Sequence, residues 1–457
     1  MSTRETIREP AKDIPVFRRC NVLVVGGGPA GSAAAVSAAK LGADTILVER
    51  YGHLGGMSTG GFVSYIVPMT DWTGRQVIAG FANEIFDRLP KSAVVGPPDE
   101  LWGSRDPDLV RYWGDRHNAK HGIITWSPTV DPEMLKIVSN DMVLEQGVKL
   151  LLHSWAVAPI QEGNDIKGIV FESKSGRQAI LADVVVDATG DGDIFHMAGS
   201  PWESDIQDDD IHHTINVAFH LGGVDMEKFY AFRGDQPEEF RSMMAKMKAA
   251  GIAADATPHA LPRNDTVLFM GPRLKGYSAI DVEDLTQVEI QSRKDMLQVL
   301  EFYRGNAPGF DGAWLMVSAP QMGTRHSRRL TGMKTVTREM WTSGTLHEDE
   351  IAISPPPNTR NPNVSIPLGC LIPPSLNNIL AAGRNLSCDP TTHTFLRLVP
   401  QCWTMGQAAG VAAAVAVNSG VPVRDVDVKQ VKGELVKQGV VLHGEAGGPK
   451  SPNQPLE

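Results

Sequence analysis

The chain has 457 residues, of which 42% are apolar, and it carries a formal net charge of −10 at pH 7. A chain of this length and apolar content can bury a large core, and we expect interleaved domains. The negative charge argues against a surface that binds nucleic acid or anionic lipid. The sequence contains no run of about twenty apolar residues, so we expect no membrane span.

The chain start and the cysteines both indicate a cytoplasmic protein. The first nineteen residues are polar and lack the apolar segment of a secretory signal. The four cysteines are too few and too scattered for a disulfide framework, and their spacing fits neither a zinc site nor an iron–sulfur cluster. We therefore expect free thiols and no bound metal.

Residues 21–50 form the first predicted unit, a strand, a glycine loop, a helix, a second strand and an acid. Val22–Val25 is typical of a buried parallel strand, and Thr45–Val48 predicts its neighbour. The G-x-G-x-x-G loop between them contains Gly26, Gly28, Pro29, Ala30 and Gly31. Glu49 ends the second strand, where its carboxylate can bind the hydroxyls of an adenosine ribose. A glycine-rich turn before a core helix does not explain this acid, so the unit predicts a dinucleotide site.

A second glycine pair follows directly after the acid. This segment reads RYGHLGGMSTGG and contributes Arg50, Gly55, Gly56, Met57 and Ser58 to the predicted cofactor site. Bare backbone here suits a large cofactor that lies extended across the loop. At this point the chain resembles the FAD-binding proteins of the glutathione-reductase structural class, and more narrowly the bacterial FAD-dependent oxidoreductases. The resemblance implies FAD rather than NAD.

Residues 62–127 are rich in tryptophan, tyrosine, proline and glycine, and they lack a regular pattern. Two interpretations stay open. The segment is an irregular insertion whose aromatic side chains anchor it to the core, or it is a cap that supplies apolar walls to a substrate pocket. Both can hold together.

Residues 128–204 return to regular structure. Asp131 and Pro132 predict a helix start, residues 157–160, 166–171 and 178–181 predict an antiparallel meander, and residues 184–186 predict a buried strand. The strand leads into a DATGD run that the FAD-dependent family shares, and three acids so close together argue against a purely structural role. The resemblance implies that backbone at Val157 contacts the adenine. It also implies that the run lies beside the pyrophosphate through Ala188, Thr189, Gly190 and Asp191.

Residues 205–319 are predicted to form an inserted substrate domain. Residues 211–220 alternate polar and apolar side chains, which predicts a strand with one exposed face, and residues 282–303 predict a long amphipathic helix. His212 and His213 are adjacent on this strand. The two histidines could be metal ligands, but the sequence shows no carboxylate cluster that would complete such a site. The competing interpretation is that they are ordinary polar residues of a strand.

An arginine-rich run, RHSRR, occupies residues 325–329. The family has a similar R-E-S-R-R segment approaching the cofactor, in which His326 of this chain replaces the glutamate. A charged surface is the alternative interpretation. Independently of the resemblance, Arg325 is a candidate for orienting a substrate oxygen.

The last third of the chain completes the resemblance. A strand ending in Gly383 and Arg384 is where the polyhydroxy chain of FAD is usually held, and the family's R-V-x-P-x-C pattern begins here at Arg397. The GQAAG run is expected to open a helix. Its positive N-terminal end would then meet the flavin pyrimidine through Gly406, Gln407 and Ala408.

These observations predict an α/β fold with a Rossmann-like FAD-binding domain and an inserted α+β substrate domain. We predict a discontinuous FAD domain (residues 14–61, 128–204 and 320–441), the cap (62–127), the substrate domain (205–319) and flexible tails (1–13 and 444–457). The resemblance covers nearly the whole chain.

The predicted activity is hydride transfer between flavin N5 and a small organic substrate, as a dehydrogenase or reductase. No second G-x-G-x-x-G unit is present, so we expect a separate small electron donor or acceptor, and a homo-oligomer stays open. The alternatives are an oxygen-using oxidase or hydroxylase and a non-redox FAD-binding protein. Histidine suits the accompanying proton transfer, and His393, His326 and His213 are the candidates, with Arg325 or Arg397 binding substrate.

Overall fold

The protein is described by a computed structural model over residues 5–204, 214–253, 255–445 and 448–449. Its strands, in chain order, are β1 Val16–Val25, β2 Thr45–Val48, β3 Val94–Val95, β4 Ala119–Lys120, β5 Ile123–Ile124, β6 Thr129–Val130, β7 Lys149–Leu151, β8 Trp155–Glu162, β9 Asp165–Ser173, β10 Gly176–Asp187, β11 Trp202–Glu203, β12 Ile215–Asn216, β13 Phe219–Gly222, β14 Pro258–Ala260, β15 Thr266–Phe269, β16 Trp314–Ser318, β17 Gly323–Thr324, β18 Arg329–Leu330, β19 Glu350–Ser354, β20 Val364–Pro367 and β21 Ile379–Ala381. Its helices are α1 Pro29–Lys40, α2 Phe81–Arg88, α3 Pro107–Asp115, α4 Pro132–Glu145, α5 Asp193–Met197, α6 Met226–Asp235, α7 Pro237–Ala249, α8 Val282–Asn306, α9 Arg338–Thr342, α10 Pro390–Leu396, α11 Val399–Ser419 and α12 Val428–Lys437.

The largest sheet has the strand order β7-β2-β1-β10-β9-β8, with β21 also paired to β10. Strands β7, β2, β1, β10 and β21 run parallel, whereas β9 and β8 are antiparallel additions. Helix α1 connects β1 to β2, as in a βαβ unit. The parallel strands end at one edge of the sheet, and ligands of open α/β sheets bind at that edge. The mixed α/β fold is confirmed.

Several predicted elements have different bounds in the structure. The predicted segments at 178–181 and 184–186 are one strand, β10, which pairs with β9 through its first half and with β21 through its last residues. A single long strand therefore joins the meander to the parallel sheet. The helix start at Asp131 is confirmed, since its side chain accepts hydrogen bonds from the backbone of Glu133 and Met134.

The inserted region has a four-stranded sheet of its own, in the order β14-β15-β13-β16. Its core is separate from the two apolar clusters of the large sheet and includes Phe219, Phe269, Tyr303 and Phe310. The predicted helix at 282–303 is confirmed as α8. The predicted strand at 211–220 is wrong in extent, because β12 and β13 are separated by Val217 and Ala218 and pair with different strands. His213 lies outside the described residues.

Helix α11 begins at Val399, so the predicted helix start at the GQAAG run is wrong. Pro400 occupies its first turn, a position that suits proline because the missing N–H is not needed there. Gly406 and Gly410 instead lie well inside the helix, where they face α1. Among the described residues, no helix combines the length and the apolar character that a membrane span requires.

Candidate active site

The glycine loop after β1 is shaped by its first and third glycines. Gly26 has φ +102°, and a Cβ at this position would collide with the carbonyl oxygen of Ala188. A Cβ on Gly31 would collide with the carbonyl oxygen of Gly26. For a Cβ on Gly28, the nearest atom of the described residues would be the Cα of Gly56, at 4.0 Å. Protein packing therefore explains the first and third glycines, and the second leaves backbone surface that a ligand can approach.

The start of α1 fits an anionic group. Among the residues that the structure describes, no side chain caps this helix, and its first turn contains no acid, so backbone N–H groups of the first turn remain available. Pro29 and Gly28, at this end, are both partly exposed. The residues present thus fit a pyrophosphate, which needs N–H donors and close backbone approach.

Glu49 lies beside the same loop at the end of β2. Its Oε2 accepts a hydrogen bond from the backbone N–H of Gly27 at 2.5 Å, and Oε1 accepts one from Tyr51 at 2.8 Å. Burial raises the pKa of this carboxyl, while the two backbone donors oppose that shift. Each oxygen keeps a further lone pair, so the carboxylate can still accept from two ribose hydroxyls.

The second glycine pair packs directly on the first loop. Gly55 donates its N–H to the carbonyl of Gly27 at 2.8 Å, and both Gly55 and Gly56 have positive φ. The hydroxyl of Ser58 donates to Gly55 at 2.7 Å and so holds the turn. Met57 is partly exposed at the outside of this turn. The structure thus brings the two predicted cofactor segments together.

The acids at the end of β10 and directly after it each have a structural partner. This corrects the expectation that repulsion among these acids excludes a structural role. Asp187 accepts from Thr189 and from the backbone of Ile194 and Phe195 at the start of α5. Burial raises the pKa of Asp187 to about 6. Asp193 pairs with Arg328 at 2.9 Å. Ala188 donates its N–H to Val25, which fixes the run beside the glycine loop.

Arg384 connects three of the predicted segments. Its Nη2 lies 2.6 Å from Asp191, and its Nη1 donates to the hydroxyl of Ser327 at 2.7 Å. Gly190 lies against the same guanidinium, and Gly383 packs on the side chains of Ala30 and Cys402. Burial alone would raise the pKa of Asp191, but Arg384 lowers it, so the carboxylate stays charged. The Gly-Arg corner is thereby held next to the starts of α1 and α11.

Two of the three predicted histidines are in contact. We call His326 and His393 the histidine pair, and their Nδ1 atoms lie 3.5 Å apart, the long end of hydrogen-bond range. His393 Nε2 donates to the carbonyl of Arg384 at 2.8 Å, because a carbonyl only accepts. Burial lowers the pKa of His393 well below its ordinary value, and Arg397 and His326 add to that shift. A neutral His393 therefore presents an Nδ1 lone pair to His326, which donates.

Three arginines lie close enough to affect one another, and one of them, Arg397, lowers the pKa of His393. We call Arg273, Arg325 and Arg397 the arginine cluster. Burial lowers the pKa of Arg397 to about 9, with further lowering by Arg325 and Arg384. Burial and Arg273 lower the pKa of Arg325 to about 10. Both guanidiniums stay charged at neutral pH, so the lowered pKa values record first the cost of burying each charge and then the repulsion between neighbouring arginines.

Sequence analysis missed Arg273 and its surroundings. Arg273 lies 3.4 Å from Asp255, and its charge acts on His259, whose ring stacks on that of His117 with centroids 4.3 Å apart. Tyr65 lies beside the same stack, with its ring centroid 6.1 Å from that of His259. These residues come from the cap and the inserted region, where no motif marks them. Only the tertiary fold brings them to one place.

Three predicted cofactor residues do not fit that role. Gly406, Gln407 and Ala408 are buried by protein atoms inside α11. A Cβ on Gly406 would collide with the backbone of Ala30 in α1. The side chain of Gln407 accepts from the N–H of Phe81 at 3.0 Å and donates to Gln438. The prediction that they meet the flavin is wrong, because helix packing already covers their surface.

The remaining predicted residues lie at the periphery of the site. Val157 is a partly buried residue of β8. Trp155, in the same strand, lies under Arg50, whose guanidinium carbon is 5.6 Å from the indole ring. All four cysteines are buried, and none of them forms a disulfide within the described residues.

A profile of the family described as FAD dependent oxidoreductase matches residues 21–435. The chain belongs to this family. Its cofactor is FAD, and the glycine loop, Glu49 and the second glycine pair are the residues that fit it. These residues lie at the carboxyl edge of the parallel strands, where ligands of open α/β sheets bind.

Curated relatives of this FAD dependent oxidoreductase match it over short stretches. An NADH oxidase from Thermoanaerobacter brockii is 51% identical over 53 residues, covering 12% of this chain and 8% of the relative. A dihydrolipoyl dehydrogenase from Trypanosoma brucei brucei is 55% identical over 42 residues, covering 9% of each. A digeranylgeranylglycerophospholipid reductase 3 from Methanosphaera stadtmanae is 24% identical over 191 residues, covering 38% of this chain and 40% of the relative. The chain thus spans less than half the length of each.

Solved structures match over most of the chain at low identity. A geranylgeranyl bacteriochlorophyll reductase-like protein from Thermoplasma acidophilum has a TM-score of 0.46 and 14% identity, covering 93% of this chain and 84% of that one. The p-nitrophenol 4-monooxygenase PnpA from Pseudomonas putida DLL-E4 has a TM-score of 0.49 and 12% identity, covering 92% and 85%.

Proposed function

We propose that this flavoprotein is a dehydrogenase or reductase that moves a hydride between flavin N5 and a carbon of a small organic substrate. Bound FAD would supply a two-electron acceptor and donor at N5. Oxidation of a substrate at carbon also releases a proton, which a base on the protein would take and, in the reductive direction, would return. The protein's own part is to hold the substrate, exclude water and handle the proton.

The observation that carries the proposal is the histidine pair at the Gly-Arg corner. His326 and His393 are buried, and the tautomer of His393 is fixed by its hydrogen bond to the Arg384 carbonyl. A neutral imidazole whose second nitrogen is oriented by a partner is suited to accept or return one proton. We propose that the pair handles the proton as a unit, with His393 orienting His326.

FAD is held, in this proposal, by the segments that the structure gathers around the start of α1. The Glu49 carboxylate would take the ribose hydroxyls, and the Gly28 and Pro29 backbone would cover the pyrophosphate. Gly190 and Arg384 would lie along the polyhydroxy chain. The parallel sheet with its antiparallel β8–β9 extension supports assignment to the glutathione-reductase structural class. A separate small electron partner and a cytoplasmic location belong to the same proposal.

Anaerobic screening of the oxidised holoprotein tests the activity. Alcohols, unsaturated acids and aromatic compounds would be added in turn while the flavin absorbance near 450 nm is followed, with dithionite as the positive control for full bleaching. We expect at least one compound to bleach the oxidised flavin or, when added to the dithionite-reduced protein, to re-oxidise it, with formation of a stoichiometric product.

Oxygen then separates the alternatives. After reduction, the protein would be mixed with aerated buffer and the return of the flavin absorbance timed. Slow re-oxidation in air, with no hydroxylated product, agrees with a dehydrogenase or reductase. Fast re-oxidation coupled to hydroxylation of the compound would replace this proposal with an oxygen-using enzyme.

A further inference from the structure

The arginine cluster carries more positive charge than the protein neutralises. Neither Arg325 nor Arg397 forms an ion pair with a carboxylate anywhere in the part of the chain that the structure describes, and Arg273 has Asp255 at 3.4 Å. Arg384, next to the cluster, is already paired with Asp191. Three guanidiniums thus share one nearby carboxylate.

Hydrogen bonding in the cluster is incomplete as well. Within the described ranges, the Nε atoms of Arg273 and Arg397 are buried without a protein acceptor, and Asp255 Oδ1 is buried without a donor. Buried guanidinium donors are normally bonded to an acceptor, and leaving them unpaired costs stability. The three arginines are nevertheless partly exposed as residues, so a ligand can reach them. An anion would supply both the missing charge and the missing acceptors.

The place of the cluster in the fold points to substrate rather than to cofactor. Pyrophosphate already has donors at the start of α1, next to Gly28, in the first loop. Arg273 belongs to the inserted region, and its charge acts on the His117–His259 stack together with that of Lys120 from the cap. Arg397 lies close enough to His393 to lower its pKa. The cluster therefore has His393 near one member and, near another, residues of the inserted region and the cap.

We propose that the substrate is an organic acid whose carboxylate is bound by Arg273, Arg325 and Arg397. This proposal rests on the proposed function, since it names the chemical class that reacts beside the histidine pair. Guanidinium groups bind carboxylates through paired, charge-assisted N–H donors, which fixes the orientation of the acid. The flat rings of Tyr65, His117 and His259 then border its organic part.

Binding of unreactive acids tests this without turnover. The oxidised holoprotein would be titrated with acetate, succinate and benzoate, with the matching amides and with inorganic phosphate, following the visible flavin spectrum and the melting temperature. We expect at least one acid to bind saturably and at least tenfold more tightly than its amide, because only the acid replaces the missing charge. Equal binding of acid and amide, or preference for inorganic phosphate over every acid, would overturn the proposal.

Variants locate the binding to the cluster. Arg273→Gln should weaken acid binding about tenfold or more while FAD content stays unchanged, and Arg273→Lys should recover part of the loss. Arg325→Gln is the second variant in case Arg273→Gln does not fold. Arg263→Gln is the matched control, since Arg263 lies in the same region with 72% of its side chain exposed and pairs with Asp265. Unchanged acid affinity in both cluster variants contradicts the proposal.

The experiments distinguish a failure of the proposed redox activity from a failure of the proposed acid-binding site. If no compound ever bleaches the flavin but acids bind through the arginines, the redox activity is wrong and the acid site stands. If a neutral compound is turned over and acids do not bind, the acid site is wrong and the redox activity stands. The melting temperature reports acid binding even where the flavin spectrum does not respond.

Discussion

Glu49 combines two tasks in one side chain. It fastens the glycine loop through Gly27 and Tyr51, and it is the acid expected to hold the ribose. Glu49→Ala should therefore weaken FAD retention about tenfold or more, since a hydrogen bond to a charged group contributes roughly 1.5–3 kcal/mol. FAD content after dialysis and the FAD dissociation constant measure this.

The control for this variant is another glutamate outside the site. Glu145, an exposed residue that pairs with Arg88 on the surface, can be changed to alanine with little effect on FAD. Equal FAD affinity of Glu49→Ala and the wild type would show that the ribose is held elsewhere.

The histidine pair predicts non-additive effects on turnover. His326→Asn and His393→Asn should each slow turnover by about a hundredfold or more, because each removes one member of a unit that handles the proton. The double variant should be no slower than the worse single variant, within a few fold. FAD should remain bound in all three. His347→Asn, a change outside the site, serves as the control.

The effect of each variant on turnover is measured as the single-turnover rate with the compound that bleaches the flavin. The flavin absorbance of each variant shows that FAD is still bound. Two single variants that retain full activity would remove the pair from catalysis. Strictly additive losses would show that the two histidines act independently and that His393 does not orient His326.

At the scale of elements, the contact between α1 and α11 depends on two glycines. A Cβ on Gly410 would collide with the backbone of Ala34, and one on Gly406 with Ala30. Gly410→Ala should therefore destabilise the protein by about 1–3 kcal/mol, because backbone must shift to admit the methyl group. At Gly433, inside α12, a Cβ would have no atom of the described part of the chain within 4 Å. Gly433→Ala should stabilise by about 0.5–1 kcal/mol.

Urea unfolding in excess FAD measures the free energy of unfolding of Gly410→Ala, of Gly433→Ala and of the wild type. The opposite signs matter more than the sizes, since both changes favour the helix in intrinsic propensity. A stabilised Gly410→Ala would mean that the two helices are not in close contact in solution.

The contact between α1 and α11 shows which features of the fold could be predicted from the sequence and which could not. The β1–α1–β2 unit was predictable because glycine spacing, apolar strands and an acid all lie within one short segment. The start of α11 was missed, although Pro400 is a helix-start signal, because the GQAAG run was interpreted by its resemblance to a family pattern. Gly406 and Gly410 are four residues apart, a spacing that places both on one face of a helix. This face packs against the neighbouring helix α1.

At the scale of the whole molecule, the candidate site is built from parts far apart in sequence. Arg273 and His259 come from the inserted region, His117 from the cap, and Arg397 from the chain between α10 and α11. No local pattern links these positions, and each on its own is an ordinary charged or aromatic residue. The long strand β10 was likewise divided in the prediction, because it pairs with different partners along its length.

Buried histidines give the molecule a predicted sensitivity to acid. Burial lowers the pKa of His117 and of His220 to about 4, and that of His259 and His393 well below the ordinary value. An unfolded chain takes up these protons near pH 6.5, so below that pH the unfolded state binds more protons than the folded state. Stability should therefore fall as the pH falls from about 6.5 towards 4, by up to about 1.4 kcal/mol per pH unit for each histidine.

The effect of one histidine can be isolated at His220. Its ring stacks on Phe62 with centroids 4.3 Å apart, so His220→Phe keeps an aromatic ring there and removes the titration. Asp187, whose pKa is raised to about 6, opposes the histidines by taking up a proton in the folded state, and it does so equally in both proteins. Melting temperatures from pH 7.5 to 4.5 in fixed excess FAD should fall less steeply for His220→Phe than for the wild type. His121→Asn, which changes an exposed histidine, should follow the wild type. Parallel curves for His220→Phe and the wild type would show that His220 takes up its proton in the folded state as readily as in the unfolded chain.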